Sequence, residues 1–254
     1  MVVFQYDKSF EGLLCAVFEA YDKKKYPESL ISQEQIVPLL TREVFAIETQ
    51  TEKFLRVLTL LKNKMSVMEL NRLNAVWLSE IENSDFLLFQ YIKYAIDSKF
   101  EHSANFGHPV VLEIHKIAKK VSKEVHAWQQ FVRFQKSKDE IYFAPVHPVY
   151  NSLPLVIPHF KDRFSSQQWI LYDLKRNYGF YYDLSEVHPM VLEGSGEHLR
   201  TGFVDEEMLH PDEKLFQELW KKYHTSVSIK ERINLKLQKQ YMPKRYWKFL
   251  TEKQ

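Results

Sequence analysis

One segment of the chain, residues 114–134, carries side chains that could do chemistry beside others that must be buried. Its sequence is IHKIAKKVSKEVHAWQQFVRF. At about 100° per residue in a helix, its apolar positions share one arc, which predicts a core-facing surface. That arc comprises Ile114, Ile117, Ala118, Val121, Val125, Trp128 and Val132. We therefore expect Trp128 and Val125 to be buried, and Lys120 and Lys123 to be exposed.

A polar stripe runs beside the apolar arc of this predicted helix. It comprises His115, Lys119, Ser122, His126, Gln129 and Arg133. Cations and amides next to a core could line a groove that receives a polyanion, with Lys119 and Arg133 contacting phosphates. His126 could act as a general acid–base group on a modified base. The ordinary alternative is a partly exposed flank of solubilising residues.

Other arrangements of the stripe are unfavourable. Glu124 lies nearly opposite His126 on the helical wheel, so the two cannot form a catalytic pair within one helix. His115 and His126 are three turns, about 16 Å, apart, which is too far to share a metal ion. We therefore predict no metal site.

A second segment, residues 147–183, interleaves aromatic side chains with cations. It contains Tyr150, Tyr172, Tyr178, Tyr181 and Tyr182, together with Arg163, Lys175 and Arg176. This composition suits recognition of unpaired bases, where π-faces stack and cations meet phosphates, with Arg163 as a candidate contact. Alternating aromatic residues on the two faces of β-strands are the more common explanation.

The closing segment, QKQYMPKRYWKFLTE at 238–252, is basic and aromatic. Pro243 restricts the backbone just before two cations that could face a groove and contact phosphates. The predicted nucleic-acid contacts here are Lys244, Arg245, Tyr246 and Trp247. The two aromatic residues would stack or anchor, and we expect Trp247 to be buried. If Arg245 instead pairs with a buried carboxylate of the same chain, the segment is a structural clasp.

Composition restricts the function classes. The 254 residues carry a net charge of +2, so binding to nucleic acid must depend on local patches. A single cysteine excludes an intrachain disulfide and a cysteine-ligated cluster. Phosphate-cradling, dinucleotide-binding, nucleophile-elbow and zinc-protease motifs are missing from the sequence. We predict no cofactor.

The pattern of elements predicts an α+β fold, with a helical middle and C-terminal helices around a small, mostly antiparallel sheet. Strands are predicted at 2–6 and 43–49, and three more between 139 and 184. Helices are predicted from Ser9 to about Lys25, over 52–100 with breaks near 64–65 and 83–84, up to about Gln135, and over 212–223 and 229–240. A short helix or turn is predicted near 152–164, and a turn at 177–179.

Glycine distribution suggests a boundary near the C-terminus. We predict an α+β body at 1–192, a loop or linker at 193–203, and a helical segment at 204–254 that packs on the body. The opening MVVFQYDKSF places charges too early for a signal peptide, and no uncharged run is long enough for a membrane span. We expect a cytoplasmic protein without a membrane partner.

Three blocks of the sequence resemble an uncharacterised bacterial family assigned to DNA metabolism. MPKRYW at 242–247, followed by Leu250 and Glu252, resembles its closing signature. Its central pattern is matched by Glu124, His126, FVRF at 131–134, HF…RF at 159–164 and Trp169, and its opening by FEGLLCAVFEAY at 10–21. The blocks occur in order over most of the chain.

The resemblance implies a DNA context and a radical-SAM partner. In that family the gene commonly neighbours a radical-SAM protein assigned to DNA modification or repair, and some members are fused to a uracil-DNA-glycosylase-like domain. This chain has no glycosylase motifs, and Thr251 stands where members often have proline. The leading hypothesis is a DNA-binding accessory protein that acts with the radical-SAM partner. An enzyme using His126 and a protein-only adaptor are the alternatives.

Overall fold

The structure, a computed structural model, describes residues 1–98, 103–192 and 206–253. These described residues form eight α-helices and eight β-strands in two sheets, which confirms the α+β class. The chain divides into two compact units, 1–122 and 123–254. The linker predicted at 193–203 lies outside the described residues, so the domain boundary placed there stays a prediction.

The sheet of the first unit has three strands in the order β2-β1-β3. These are β1 (Val2–Tyr6), β2 (Ser29–Ser32) and β3 (Glu43–Ala46). Both β2 and β3 pair with β1 in parallel. The sequence predicts β1 and β3 but neither β2 nor a second, parallel sheet. Parallel strands need a crossover connection, which the helix after β1 supplies.

Four helices pack around this sheet. They are α1 (Phe10–Asp22), α2 (Thr51–Lys64), α3 (Val67–Trp77) and α4 (Ser84–Asp97). Ser9 begins α1 as predicted, because its side-chain oxygen accepts a hydrogen bond from the Gly12 amide at 2.9 Å. The breaks predicted near 64–65 and 83–84 are confirmed.

Helix α5 (Pro109–Phe131) contributes residues to both units. Trp128 is buried, Val125 is half-buried, and Lys120 and Lys123 are exposed. The helical phase predicted from the apolar arc is therefore confirmed, with Val125 at the edge of the buried face rather than inside it.

The sheet of the second unit has five strands in chain order. These are β4 (Gln135–Lys136), β5 (Tyr142–Val146), β6 (Trp169–Asp173), β7 (Tyr178–Tyr182) and β8 (Val187–Met190). Pairing is antiparallel except between β5 and β6, which are parallel and joined through α6 (Leu153–Arg163). The sequence predicts β5, β6, β7 and the intervening helix. The turn predicted at 177–179 lies at 174–177.

The C-terminal part is helical. It contains α7 (Glu213–Val227), α8 (Leu235–Tyr241) and 3-10 turns that include Lys244–Phe249 and Thr251–Lys253. The core of the second unit joins Trp128 of α5, Trp169 of β6 and Tyr246 of the last turns. Within the described residues, no helix combines the length and apolarity needed to cross a bilayer.

Gly179 of β7 provides a test of the sheet register. A Cβ atom at this position would lie 2.6 Å from the Leu171 carbonyl oxygen, closer than two such atoms can approach. We expect Gly179→Ala to destabilise the protein by about 1–3 kcal/mol in urea unfolding. Gly107→Ala is the control, because its nearest obstacle, the Asn105 side chain, is 3.4 Å away. Equal stability of the two variants would contradict the pairing of β6 with β7.

Candidate functional site

Glu124 is a charged residue at the centre of the second unit, and its side chain is only 1% exposed. Its carboxylate accepts hydrogen bonds from the Val149 amide at 3.0 Å and the Tyr150 amide at 2.9 Å. It also accepts one from the Ser152 hydroxyl at 3.3 Å, and the Arg245 guanidinium lies 3.3 Å away. Four partners offset the cost of burying this charge.

Glu124 fixes the loop that joins β5 to α6, residues 147–152. The peptide group of Val149 is held on both sides: its N–H donates to Glu124, and its carbonyl accepts from Lys175 Nζ at 2.7 Å and Arg176 Nη2 at 3.1 Å. The loop is therefore a rigid surface element, and Val149 and His147 point side chains into solvent from it.

A second buried carboxylate, Asp173, ends β6 beside this loop. It accepts from Arg176 Nη1 at 2.8 Å and from the Lys175 amide at 2.8 Å. Val146 of β5 pairs with Asp173. Because the two strands are parallel, their carboxyl ends meet at one edge of the sheet, where α/β proteins commonly bind ligands.

A third buried carboxylate, Glu252, binds the end of α5. Its side chain is 3% exposed, lies 2.8 Å from Arg133 Nη2 and accepts from Trp220 Nε1 at 2.8 Å. Burial alone would raise the pKa of Glu252. Hydrogen bonds from the backbone, from Trp220 and from Arg133 outweigh burial and hold the pKa below its usual value of 4.5.

The closing residues 243–253 lie along α5 and form a structural clasp. At one end, Arg245 of the clasp pairs with Glu124 of the helix; at the other, Glu252 of the clasp pairs with Arg133 at the end of the helix. Tyr246 packs between them, its ring 4.7 Å from that of Trp128.

The aromatic residue that anchors the clasp is Tyr246, not Trp247. Tyr246 is 1% exposed, whereas Trp247 is half-buried and donates its indole N–H to the Met242 carbonyl at 2.9 Å. The expectation that Trp247 is the buried residue is wrong. A 3-10 turn repeats every three residues, so Tyr246 and Phe249 share the inner face and Trp247 does not.

The ion pairs leave the anions inside and the cations outside. Glu124 is 1% exposed, but its partner Arg245 is 47% exposed at the side chain. Lys175 and Lys244 are exposed close to the same loop and clasp. We call Lys175, Arg176, Lys244 and Arg245 the basic patch. Arg245 is held further by donating to the Tyr246 hydroxyl at 2.8 Å and by lying 4.9 Å from its ring centre.

The other residues predicted from sequence lie apart from this patch. His126 is exposed on α5, and its Nδ1 lies 3.2 Å from the Gln129 amide oxygen. Lys119 is exposed in the first compact unit. Arg163 is exposed at the end of α6, its guanidinium 5.9 Å from the Phe164 ring centre. No structural observation tests their proposed roles.

Side chains of the types that bind metals are dispersed in this structure. Across residues 1–98, 103–192 and 206–253, no group of three His, Cys, Asp or Glu side chains is arranged to hold a metal ion.

A family profile described as DUF4130, a domain of unknown function, matches residues 82–252, well over half of the chain. The chain belongs to the DUF4130 family. This agrees with the expectation of an uncharacterised family. The DUF4130 region contains the whole basic patch and both ion pairs of the clasp, and it ends at Glu252.

Two further comparisons give no functional information. No curated protein matches the chain. Among solved structures, a pGpG-specific phosphodiesterase, PggH from Vibrio cholerae, is similar with a TM-score of 0.33 and 10% identity, covering 89% of this chain and 99% of that one. At that score the similarity carries no argument about fold or activity.

Sequence reasoning missed the carboxylates Glu124, Asp173 and Glu252 as organising groups. One signal was available for Glu124: with Val121 and Trp128 it lies on the apolar side of the α5 wheel, where a charge needs a buried partner. The partner, Arg245, is far away in sequence and could not be identified from helical periodicity.

The clasp predicts an order of stability effects. Tyr246→Ala should cost about 3–5 kcal/mol, because it removes an enclosed ring from the core of the second unit. Trp247→Ala should cost about 1 kcal/mol, because that ring is already half in solvent. Urea unfolding measures both values, with exposed Tyr241→Ala as the control. A larger loss of stability for Trp247→Ala would mean that Tyr246 is not the anchor.

The lowered pKa of Glu252 predicts an acid-dependent stability. Below the usual pKa of 4.5 the unfolded chain takes up the proton first, so this contribution is lost as pH falls through the folded-state pKa. Glu252→Gln should be less stable by about 3 kcal/mol at neutral pH. The gap to wild type should shrink in acid.

Thermal unfolding across acidic pH checks this expectation, with Glu218→Gln on the exposed face of α7 as the control. A gap that stays constant with pH would show that Glu252 is not held as a carboxylate by Arg133 and Trp220.

Proposed function

We propose that the chain binds DNA through the basic patch, as an accessory protein of DNA repair or modification. One observation carries the proposal: carboxylates buried beneath the surface hold guanidinium groups that face solvent. Glu124 beneath Arg245 and Asp173 beneath Arg176 are the two examples. A ligand at this surface meets the cations before it meets the anions, although the chain has a net charge of only +2.

The guanidinium of Arg245 is oriented before any ligand binds. Its Nη2 donates to Tyr246 and lies near Glu124, and its remaining nitrogens donate no hydrogen bond to any described residue. A planar guanidinium held on one side offers the other to two oxygens of a phosphate. Less side-chain entropy is lost on binding than for a free arginine.

Lys175 and Lys244 extend the patch as point charges. The two lysines, with Arg245, surround the rigid loop at 147–152, so their spacing is set by the fold and not by ligand binding. Phosphate contacts of this kind give affinity without sequence specificity and are weakened by salt.

A protein adaptor is the second candidate, favoured by the outer face of α7. Five of its apolar side chains are exposed: Leu215, Phe216, Leu219, Tyr223 and Val227. Such a stripe is typical of a helix that meets a protein partner. The radical-SAM partner implied by the sequence resemblance would bind here within the proposal. Catalysis by His126 has no comparable structural support.

The basic patch is tested by Lys175→Ala with Lys244→Ala. Neither lysine is the partner of a buried carboxylate, so the double variant should unfold like wild type. Its affinity for duplex DNA should fall, and the slope of log affinity against log salt should flatten by about two units, one for each phosphate that is no longer neutralised. Fluorescence anisotropy over a series of NaCl concentrations measures both.

The matched control is Lys120→Ala with Lys123→Ala, which removes the same charge from the exposed face of α5. This control should leave the salt slope within error of wild type. Equal reductions of affinity in the two double variants would indicate a response to net charge only. An unchanged slope in the Lys175 and Lys244 variant would remove the patch from the DNA site.

A further inference from the structure

The second unit contains an aromatic pocket at the end of its sheet opposite the basic patch. Its volume is about 250 Å³, near the lower end for small-ligand sites. The residues that line it are Val132, Arg133, Phe134, Tyr142, Phe164, Gln167 and Trp169. Tyr142 and Trp169 begin β5 and β6, whereas the patch lies where those strands end.

Two buried hydrogen-bond donors of this aromatic pocket have no partner. Trp169 is 1% exposed, and its indole Nε1 makes no hydrogen bond to any described residue. The same is true of Arg133 Nε, although the rest of that guanidinium is bound by Glu252 and backbone carbonyls. Unpaired buried N–H groups are costly and uncommon, so they indicate a missing acceptor.

The walls of the pocket suit a flat ring. Phe134 and Phe164 lie edge to face with ring centres 5.4 Å apart, and Phe134 is tilted against Trp169 at 6.2 Å. An aliphatic ligand would fill such a space but would leave both N–H groups unpaired. A heteroaromatic ring with acceptors on its edge satisfies the walls and the donors together.

A cation lies at the border of the pocket. Arg163 is exposed, and its guanidinium is 5.9 Å from the ring centre of Phe164, a wall residue. Arg163 can therefore reach a phosphate attached to a ring that occupies the pocket.

We propose that the aromatic pocket binds a single unpaired nucleobase, with Trp169 Nε1 and Arg133 Nε donating to acceptors on its edge. The inference rests on the proposed function, since it names the part of a nucleic acid that this second surface recognises. The basic patch supplies affinity that depends on phosphate, and the pocket supplies affinity that depends on a base.

The first test uses free nucleosides, so it does not require DNA binding. The full chain labelled with ¹⁵N has five tryptophans, and the indole signal of Trp169 is the one missing from Trp169→Phe. Thymidine and deoxyguanosine should shift this signal saturably, and deoxyribose 5-phosphate should not. Trp128 is an internal control, because its Nε1 is also unpaired and buried but lies outside the pocket.

An unmoved Trp169 signal would overturn the proposal. So would an equal shift of Trp128, or a shift with toluene as large as that with the nucleosides, which would indicate an apolar void only.

The second test separates the pocket from the basic patch. Two single-stranded oligonucleotides of equal length and charge are compared, one with bases and one with abasic sites at its centre. Wild type should prefer the first by about tenfold. Trp169→Phe keeps the ring but removes the donor, and should reduce that preference without changing affinity for the abasic strand.

The Lys175 and Lys244 double variant should weaken binding of both strands equally. If only that result fails while the nucleosides still shift Trp169, the proposed function is wrong and the pocket stands. Equal binding of both strands by wild type would remove the base from the interaction and overturn the pocket instead.

Discussion

A carboxylate can remain charged inside a protein only when its oxygens are hydrogen-bonded, and this constraint organises the second unit. Glu124 on α5 meets it with two loop amides, the Ser152 hydroxyl and Arg245. The same four contacts fix the loop after β5, bring the closing segment onto the helix and orient a guanidinium at the surface. Local structure, packing and surface charge therefore share one cause.

Two ion pairs of opposite direction align the clasp. Arg245–Glu124 and Glu252–Arg133 place the acid on the helix at one end and on the clasp at the other. A shift of the clasp along α5 would bring like charges together at both ends. Tyr246 contributes most of the buried area, but area alone would tolerate other registers; the charges select one.

The features that were predictable from sequence are those that depend on near neighbours. The α5 phase, the helix breaks and the N-cap at Ser9 follow from periodicity and capping within a few residues. Strand β2 and the parallel pairing of β5 with β6 depend on residues far apart, so pattern gave no indication of them. Tyr246 exchanged roles with Trp247 because a 3-10 turn has a different period from the helix.

The clasp also has a consequence for how the protein is made. Trp128 and Trp169 cannot be fully enclosed until Tyr246 and Phe249 have left the ribosome, more than 60 residues after β6 has been synthesised. During that interval the nascent second unit exposes aromatic surface and holds Glu124 without its arginine. Translation must pass residue 252 before this core can close, so the growing chain is open to chaperones for that time.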